Sequence, residues 1–408
     1  MRSTSTHIDR TAAIVIGRGY TGLGALRSLR MAGIPTWVAC PTDDLAARSR
    51  GFRPLPGDPP WDGTIDDRAR ERLQALPFAR AVLIPCSDDA ALWTADIAGG
   101  EPGQRFLASS STRATLEILQ DKERFAACLA GTGIPHPRTF AIAGRGDLDA
   151  IDFGRLDRVF LKPVDSQRFN REFGGKGIWV EDRAGLEEHW SRLDALGLRM
   201  VVQEYVPGGA DDHYFIDGFR DREGAIAGIF CRRRLRIHPP DFGNSSYCRS
   251  IAPGDMPGAI ESLEALLGQL SYRGIFSAEF KRDARDGRFK LLEVNTRAWW
   301  YVEFAARCGV NVCRMAWEDA NGLPVGRAPR YRVGAGCVNL RGDILSVLSQ
   351  RGPGATPLAG ALWQWMRAYF HVFSFRDPRP ALSLLWQGLR HRVRKPAPAR
   401  DDCPAGSG

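Results

Sequence analysis

The chain has 408 residues, 44% of them hydrophobic and 25% charged, with a formal net charge of +9. That length exceeds one ordinary domain, and the composition excludes a wholly disordered chain. No uninterrupted apolar stretch reaches the ~20 residues needed to cross a bilayer, and residues 1–10 lack the apolar core of a secretory signal.

The mild positive charge fits anionic ligands, and fits equally the Arg-rich usage of a GC-rich genome. Nine cysteines are scattered singly with no Cys-x-x-Cys pair, so neither a zinc site nor a disulfide framework is expected, and a reducing cytoplasm is.

The first predicted element is an apolar strand, Ala12–Ile16, running into Gly17-Arg18-Gly19-Tyr20-Thr21-Gly22-Leu23-Gly24 and a helix patterned by Leu23, Leu26 and Leu29. A second strand over 36–40 completes the opening of a doubly wound α/β domain. A third, over 81–85, ends in Cys86-Ser87-Asp88-Asp89. The Gly-x-Gly-x-x-Gly turn matches a dinucleotide fingerprint, yet the second strand ends at Cys40-Pro41, where such a site carries an acid for the ribose. The acids come only at Asp43 and Asp44. The turn reads either as a nucleotide site or as a packing turn at which Gly19 receives a small anionic substrate.

From Thr115 the pattern becomes α+β. A helix carrying Asp121-Lys122 stops at Gly131-Thr132-Gly133-Ile134-Pro135. Strands follow over 158–163, 177–180 and 200–206, then two more over 276–281 and 289–294, joined by Asp286-Gly287.

Those last two strands carry the strongest chemical signal. A short turn can set Glu279 beside Glu293, and period-two alternation puts Asn295 on the face of Glu293. Two carboxylates and an amide oxygen suit Mg²⁺ or Mn²⁺ holding a polyphosphate, whereas an ordinary solvent-facing strand is the plain alternative. Lys162, ending an apolar strand before Pro163, wants an anionic partner, and Lys122 is a weaker candidate of the same kind. Gly174, Gly175 and Lys176 form a loop whose backbone can approach phosphates, or else a flexible hairpin. Gln203-Glu204-Tyr205-Val206-Pro207-Gly208-Gly209 reads as a strand entering a linker, with Asp211 and Asp212 just beyond.

Taken in this order, the Asp121-Lys122 helix, Lys162-Pro163, the Gly-Gly-Lys-Gly loop, Gln-Glu-Tyr-Val-Pro-Gly and the Glu279/Glu293/Asn295 strands resemble the ATP-grasp superfamily of carboxylate–amine ligase type. The resemblance runs from Ala12 to about Gly322. It implies a multidomain α/β and α+β chain: a Rossmann-like domain over 1–113, and a two-subdomain ATP-grasp fold over 114–200 and 201–325. It implies ATP with Lys122 and Lys162 on its phosphates, the backbone of Glu204 and Val206 beside Gln203 on adenine, and Asp211 or Asp212 on the ribose. Glu279, Glu293 and Asn295 are then metal ligands, Glu279 standing where the family often has Asp. The implied partners are a small-molecule carboxylate and an amine, with no nucleic acid. In this chemistry the carboxylate attacks the γ-phosphoryl group and the amine captures the acyl phosphate, so catalysis is positioning and electrostatics.

Arg297 is the candidate for stabilising the phosphoryl group, against a plain salt bridge to Glu303; Lys176 is its companion in the loop. In Cys231-Arg232-Arg233-Arg234-Leu235-Arg236-Ile237-His238 alternation puts Arg234 and Arg236 on one face, and with Arg249 they are candidates for an acidic substrate. Residues 326–395 read as a helical extension whose apolar, Trp-bearing and basic stripes either pack on the core or lie at an anionic membrane surface. Residues 396–408 read as a disordered tail. Other ATP-grasp reactions, a non-catalytic nucleotide-binding regulator and an NAD-dependent oxidoreductase stand as alternatives.

Overall fold

Helices cover both faces of a parallel sheet, so its strands are apolar from end to end. The computed structural model, which describes residues 11–156, 159–164, 169, 172–173, 177–240, 243–350, 352 and 355–394, opens with such a layer. Its strands β1 (Ala12–Ile16), β2 (Thr36–Ala39), β3 (Ala81–Pro85) and β4 (Phe106–Leu107) are parallel, in the order β2-β1-β3-β4. The glycines after β1 are packing residues. A Cβ on Gly17 would lie 2.2 Å from Cβ of Cys86, and one on Gly22 2.7 Å from the Gly17 carbonyl oxygen. Gly19 has φ +61°, a conformation that glycine adopts without strain.

A second, antiparallel sheet holds β5 (Thr139–Ala141), β6 (Val159–Pro163), β7 (Ile178–Val180) and β8 (Met200–Glu204), in the order β5-β8-β6-β7. It has its own core, in which Leu161 and Val202 meet Leu186 and Leu193 of the helix Arg183–Asp194.

The largest sheet has seven strands: β9 (His213–Arg220), β10 (Ile226–His238), β11 (Asn244–Ser250), β12 (Gly274–Arg282), β13 (Phe289–Asn295), β14 (Gly336–Val338) and β15 (Tyr369–Phe370). Their order is β13-β12-β9-β10-β11-β14-β15. Alternation decides what each face carries. Phe276, Ala278 and Phe280 of β12 pack with Leu263 and Leu266 of the helix Ala259–Gln269. Ser277 and Glu279 therefore turn the other way, to the side where Phe230 of β10 joins Leu26 and Val302 in the core shared with the first layer.

The segment beyond Val325 contains helices Leu340–Ser349, Leu358–Arg367 and Arg379–Arg394, and also supplies β14 and β15 to the large sheet. Strands of three and two residues show too little alternation to be read from sequence. An ion cluster fastens this segment to the first layer: Arg27 donates to Asp377 through Nε at 3.1 Å and Nη2 at 3.0 Å, and to Glu303 through Nη1 at 3.2 Å. The expected tail over 396–408 lies outside the described residues.

Candidate active site

Strands β12 and β13 pair so that Glu279 faces Glu293 and Ser277 faces Asn295. The register then slips by one residue, Phe280 pairing with Leu291, which leaves Leu292 as a bulge beside Glu293. Asn295 Nδ2 donates to Glu293 Oε1 at 3.2 Å. His213 Nδ1 lies 2.7 Å from Glu279 Oε1. Burial holds this imidazole below its ordinary pKa, against the pull of Glu279, so the neutral ring donates to the carboxylate and fixes its orientation. Arg297 donates through Nε to Asp88 Oδ1 at 2.8 Å and through Nη2 to Asn295 Oδ1 at 3.0 Å. The pairing with Glu303 weighed from sequence is not formed; Glu303 pairs with Arg27 and Arg307.

On β10, Arg232 and Arg234 share the face of Ser277 and Glu279. Arg234 donates through Nε to Ser245 Oγ at 3.1 Å and through Nη2 to Glu279 Oε1 at 3.3 Å. Arg232 donates through Nε to Asp217 Oδ2 at 2.7 Å, and Asp217 accepts from Ser277 Oγ at 2.6 Å. Burial pushes the Asp217 carboxyl pKa up, with Arg232 opposing. The Arg232 guanidinium carbon lies 3.7 Å from the Phe215 ring centroid and 5.2 Å from that of Tyr301. Its two terminal nitrogens donate to no described residue, and the side chain lines a cavity of about 770 Å³. Gly17, Arg18, Asp88, Glu279, Glu293, Asn295, Arg297 and Trp299 line the same cavity.

A smaller cavity of about 130 Å³ shares Asp88, Glu293 and Asn295 with it and is lined at its far side by Lys122, Lys162 and Gln203. Lys162 Nζ donates to Gln203 Oε1 at 2.6 Å. Thus Lys122, Lys162, Gln203, Glu279, Glu293, Asn295, Arg234 and Arg297 come together on two adjoining cavities. Among the described residues no group of three His, Cys, Asp or Glu side chains is placed to hold a metal. The carboxylate pair with its amide neighbour is the hard-oxygen donor set the site offers.

Several sequence candidates lie elsewhere. Glu204 is buried against Arg285 Nη2, at 2.5 Å, and accepts from the Arg138 N–H at 3.0 Å, while its own N–H donates to the Arg138 carbonyl at 2.8 Å. Val206 is buried. Asp211 accepts from Arg233 at 2.8 Å, and Asp212 accepts from the Gly209 N–H at 2.8 Å. None of these four lines either cavity. Arg236 is locked to Asp343, with Nη2 2.6 Å from Oδ2, because the β10–β11 register shifts between Arg234 and Arg236. Arg249 is exposed and faces Arg233, on the other side of the sheet from Arg232 and Arg234. The Gly19 N–H donates to both oxygens of Asp44, at 3.0 and 2.9 Å. A protein carboxylate thus already sits where the helix start would draw a phosphate, and Gly17, Arg18 and Thr21 are the residues of the turn that reach the cavity. Gly174, Gly175 and Lys176 lie outside the described residues. The residue sequence reasoning missed is Arg232, although the alternation that selected Arg234 selects it too.

No family model matches the chain. It is 24% identical over 325 residues to a D-aspartate ligase of Enterococcus faecium (strain Aus0004), a match covering 75% of this chain and 76% of that protein. Among solved structures, carboxyaminoimidazole ribonucleotide synthase from Aspergillus clavatus complexed with ATP is similar with a TM-score of 0.60 at 12% identity, over 81% of each chain. An L-amino acid ligase from Bacillus licheniformis is similar with a TM-score of 0.58 at 16% identity, over 80% of this chain and 79% of that one. Against the much longer pyruvate carboxylase of Rhizobium etli, at 14% identity and a TM-score of 0.57, 80% of the chain matches and spans only 29% of that protein. With three sheets in this arrangement and these likenesses, the chain has the fold of the ATP-grasp carboxylate–amine ligases.

Proposed function

We propose that the two adjoining cavities are the site of an ATP-dependent carboxylate–amine ligase whose substrates include an acidic small molecule anchored by Arg232. The smaller cavity, with Lys122 and Lys162, takes the nucleotide phosphates, and the larger one takes the acid and the amine. ATP and ADP complexes among the similar structures support the nucleotide assignment. Glu293 and Asn295 line both cavities and Glu279, paired with Glu293, lines the larger one; their oxygens fit Mg²⁺ or Mn²⁺. Bound there, the ion would neutralise phosphate charge and orient the triphosphate.

The remaining steps belong to the chain's own side chains and the two substrates. A substrate carboxylate oxygen attacks the γ-phosphorus, forming the acyl phosphate as the bond to ADP breaks. Charge gathers on the transferring oxygens, and the Arg297 guanidinium, steadied by Asp88 and Asn295, faces the space where they would lie. Amine attack on the acyl carbon then expels phosphate, and the amine loses its proton as the amide forms. Arg297 is also placed to hold the tetrahedral adduct.

The observation that carries the substrate class is the Arg232 fork. Asp217 holds its Nε, the rings of Phe215 and Tyr301 lie against it, and the side chain lines the larger cavity with terminal N–H groups that donate to no described residue, an arrangement suited to bidentate recognition of a carboxylate or phosphate. Aspartate in the name of the similar ligase is a molecule with two carboxylates, which supports an acidic substrate. The test is an ADP-release screen over amino acids of both hands, dicarboxylates and amines, with products identified by mass spectrometry. Arg232→Lys should raise KM for the acid on the order of ten-fold while KM for ATP holds. An unchanged KM for every acid would remove Arg232 from recognition, and no ADP release with any pair would remove the ligase reading.

A further inference from the structure

Large apolar side chains that face solvent are concentrated in one stretch of this chain. Among the described residues, all but Met31, Leu196 and Val333 lie between Leu340 and Trp386. On the helix Leu358–Arg367, Leu358, Leu362 and Met366 follow one another at four-residue spacing, with Trp363 beside them, while Ala361 points inward. On the helix Arg379–Arg394, Leu382 and Leu385 lie within one turn. Between the two helices Phe375 is 90% exposed, and Met366 is 74% exposed. Single exposed apolar side chains are ordinary on a protein surface; a concentration of this size marks contact with something apolar.

Charge says what that something is. Asp377 is the only acid between Asp343 and Asp401, whereas Arg351, Arg367, Arg376, Arg379, Arg390, Arg392, Arg394, Lys395 and Arg400 fall in the same stretch. Asp343 and Asp377 are themselves buried against Arg236 and Arg27, so neither offsets that charge at the surface. Arg367, Arg376 and Arg379 are exposed, and the Arg367 guanidinium carbon lies 4.8 Å from the Trp363 ring centroid. Exposed Trp, Phe, Met and Leu interleaved with arginine and without surface acid match an anionic lipid surface, where rings and aliphatic chains enter the acyl boundary and guanidinium groups meet headgroup phosphates. No described helix is long and apolar enough to cross a membrane, so such contact is peripheral.

We infer that the exposed apolar and basic side chains of residues 340–350 and 355–387 form a docking face for an anionic membrane surface. This inference is independent of the ligase reading, because it rests on none of the residues in the two cavities. The test uses the full chain and two kinds of vesicle, equal parts phosphatidylglycerol and phosphatidylcholine, and phosphatidylcholine alone, with bound protein measured by co-sedimentation. Binding to the anionic vesicles should exceed binding to the neutral ones on the order of ten-fold at low salt, since each arginine at the surface adds attraction. It should weaken as salt rises. The variant Trp363→Ser/Met366→Ser/Phe375→Ser should lose about ten-fold or more of that binding while its circular dichroism and melting temperature hold, because all three side chains are already exposed. Absence of binding, or equal binding to both vesicles, would overturn the inference. So would a dimer in light scattering that the triple variant abolishes while vesicles go unbound, since the face would then belong to a second copy of the chain.

Discussion

Arg232 shows how much one side chain depends on what lies beneath it. Its Nε is spent on Asp217, a carboxylate with no solvent exposure. Removing the guanidinium with Arg232→Ala leaves that buried charge without its cation, and should cost about 3–5 kcal/mol in denaturant unfolding. Arg232→Lys keeps the charge, and its unfolding midpoint should fall much less. Glu293 is a contrasting case: it is exposed and accepts one hydrogen bond from Asn295. Glu293→Gln should lower kcat on the order of a hundred-fold or more, with the melting temperature within a few degrees of the parent. Near-normal ATP turnover would refute the metal role.

His371 gives the pH dependence. Burial holds its imidazole at about 4, opposed by the hydrogen bond to the Trp300 carbonyl and aided by the nearby Arg27 and Arg232. In the unfolded chain the ring takes its proton near the ordinary 6.5. Stability from this group is therefore full above about pH 6.5 and is lost as pH falls toward 4, where the gap corresponds to about 3 kcal/mol. His371→Gln, which keeps a donor for the Trp300 carbonyl, should flatten unfolding free energy against pH across that window. An unchanged slope would assign the acid sensitivity to other groups.

At the level of elements, the site is assembled by strand register. The hairpin of β12 and β13 was legible because apolar alternation, a turn at Asp286-Gly287 and two acids in phase all point to the same pairing. Strand β10 was half legible: alternation places Arg232 and Arg234 correctly, but a shift against β11 sends Arg236 to Asp343. Such shifts depend on the neighbouring strand and leave no mark in the sequence of either one. The fate of Glu204 was hidden for a related reason. Its buried carboxyl is held below the usual range despite burial, by the Arg138 N–H and by Arg285 and Lys290, residues far away in the chain. The glycine turn was legible as a turn, with packing as one of its two readings, but the contact with Cys86 that goes with the packing reading was not. Gly17→Ala would drive a methyl group into Cys86 and should cost about 1–3 kcal/mol. Pairing it with Cys86→Gly, which removes the atom it strikes, should restore part of that loss in thermal melts; no restoration would place the conflict elsewhere.

Across the whole molecule, buried ions join the first layer to the helix Val302–Cys308 and to the C-terminal segment. Arg27 meets Glu303 and Asp377 together, and Ser49 donates to Asp377 at 2.6 Å. Asp377→Ala should cost about 3–5 kcal/mol, and should speed hydrogen exchange in the helix Arg379–Arg394 more than in β1. Uniform exchange changes would mean that the cluster does not fasten this segment in particular. None of this was readable in advance, since the partners are separated by hundreds of positions and only folding brings them together.

The carboxylate of Asp44 on the Gly19 amide has a consequence for stoichiometry. A chain that opens with a dinucleotide-like turn and continues with an ATP-grasp fold has two places that resemble nucleotide sites. The first is plugged by its own side chain, so calorimetric titration with a non-hydrolysable ATP analogue should saturate at one equivalent per polypeptide, and Asp44→Ala is the change that would uncover a second.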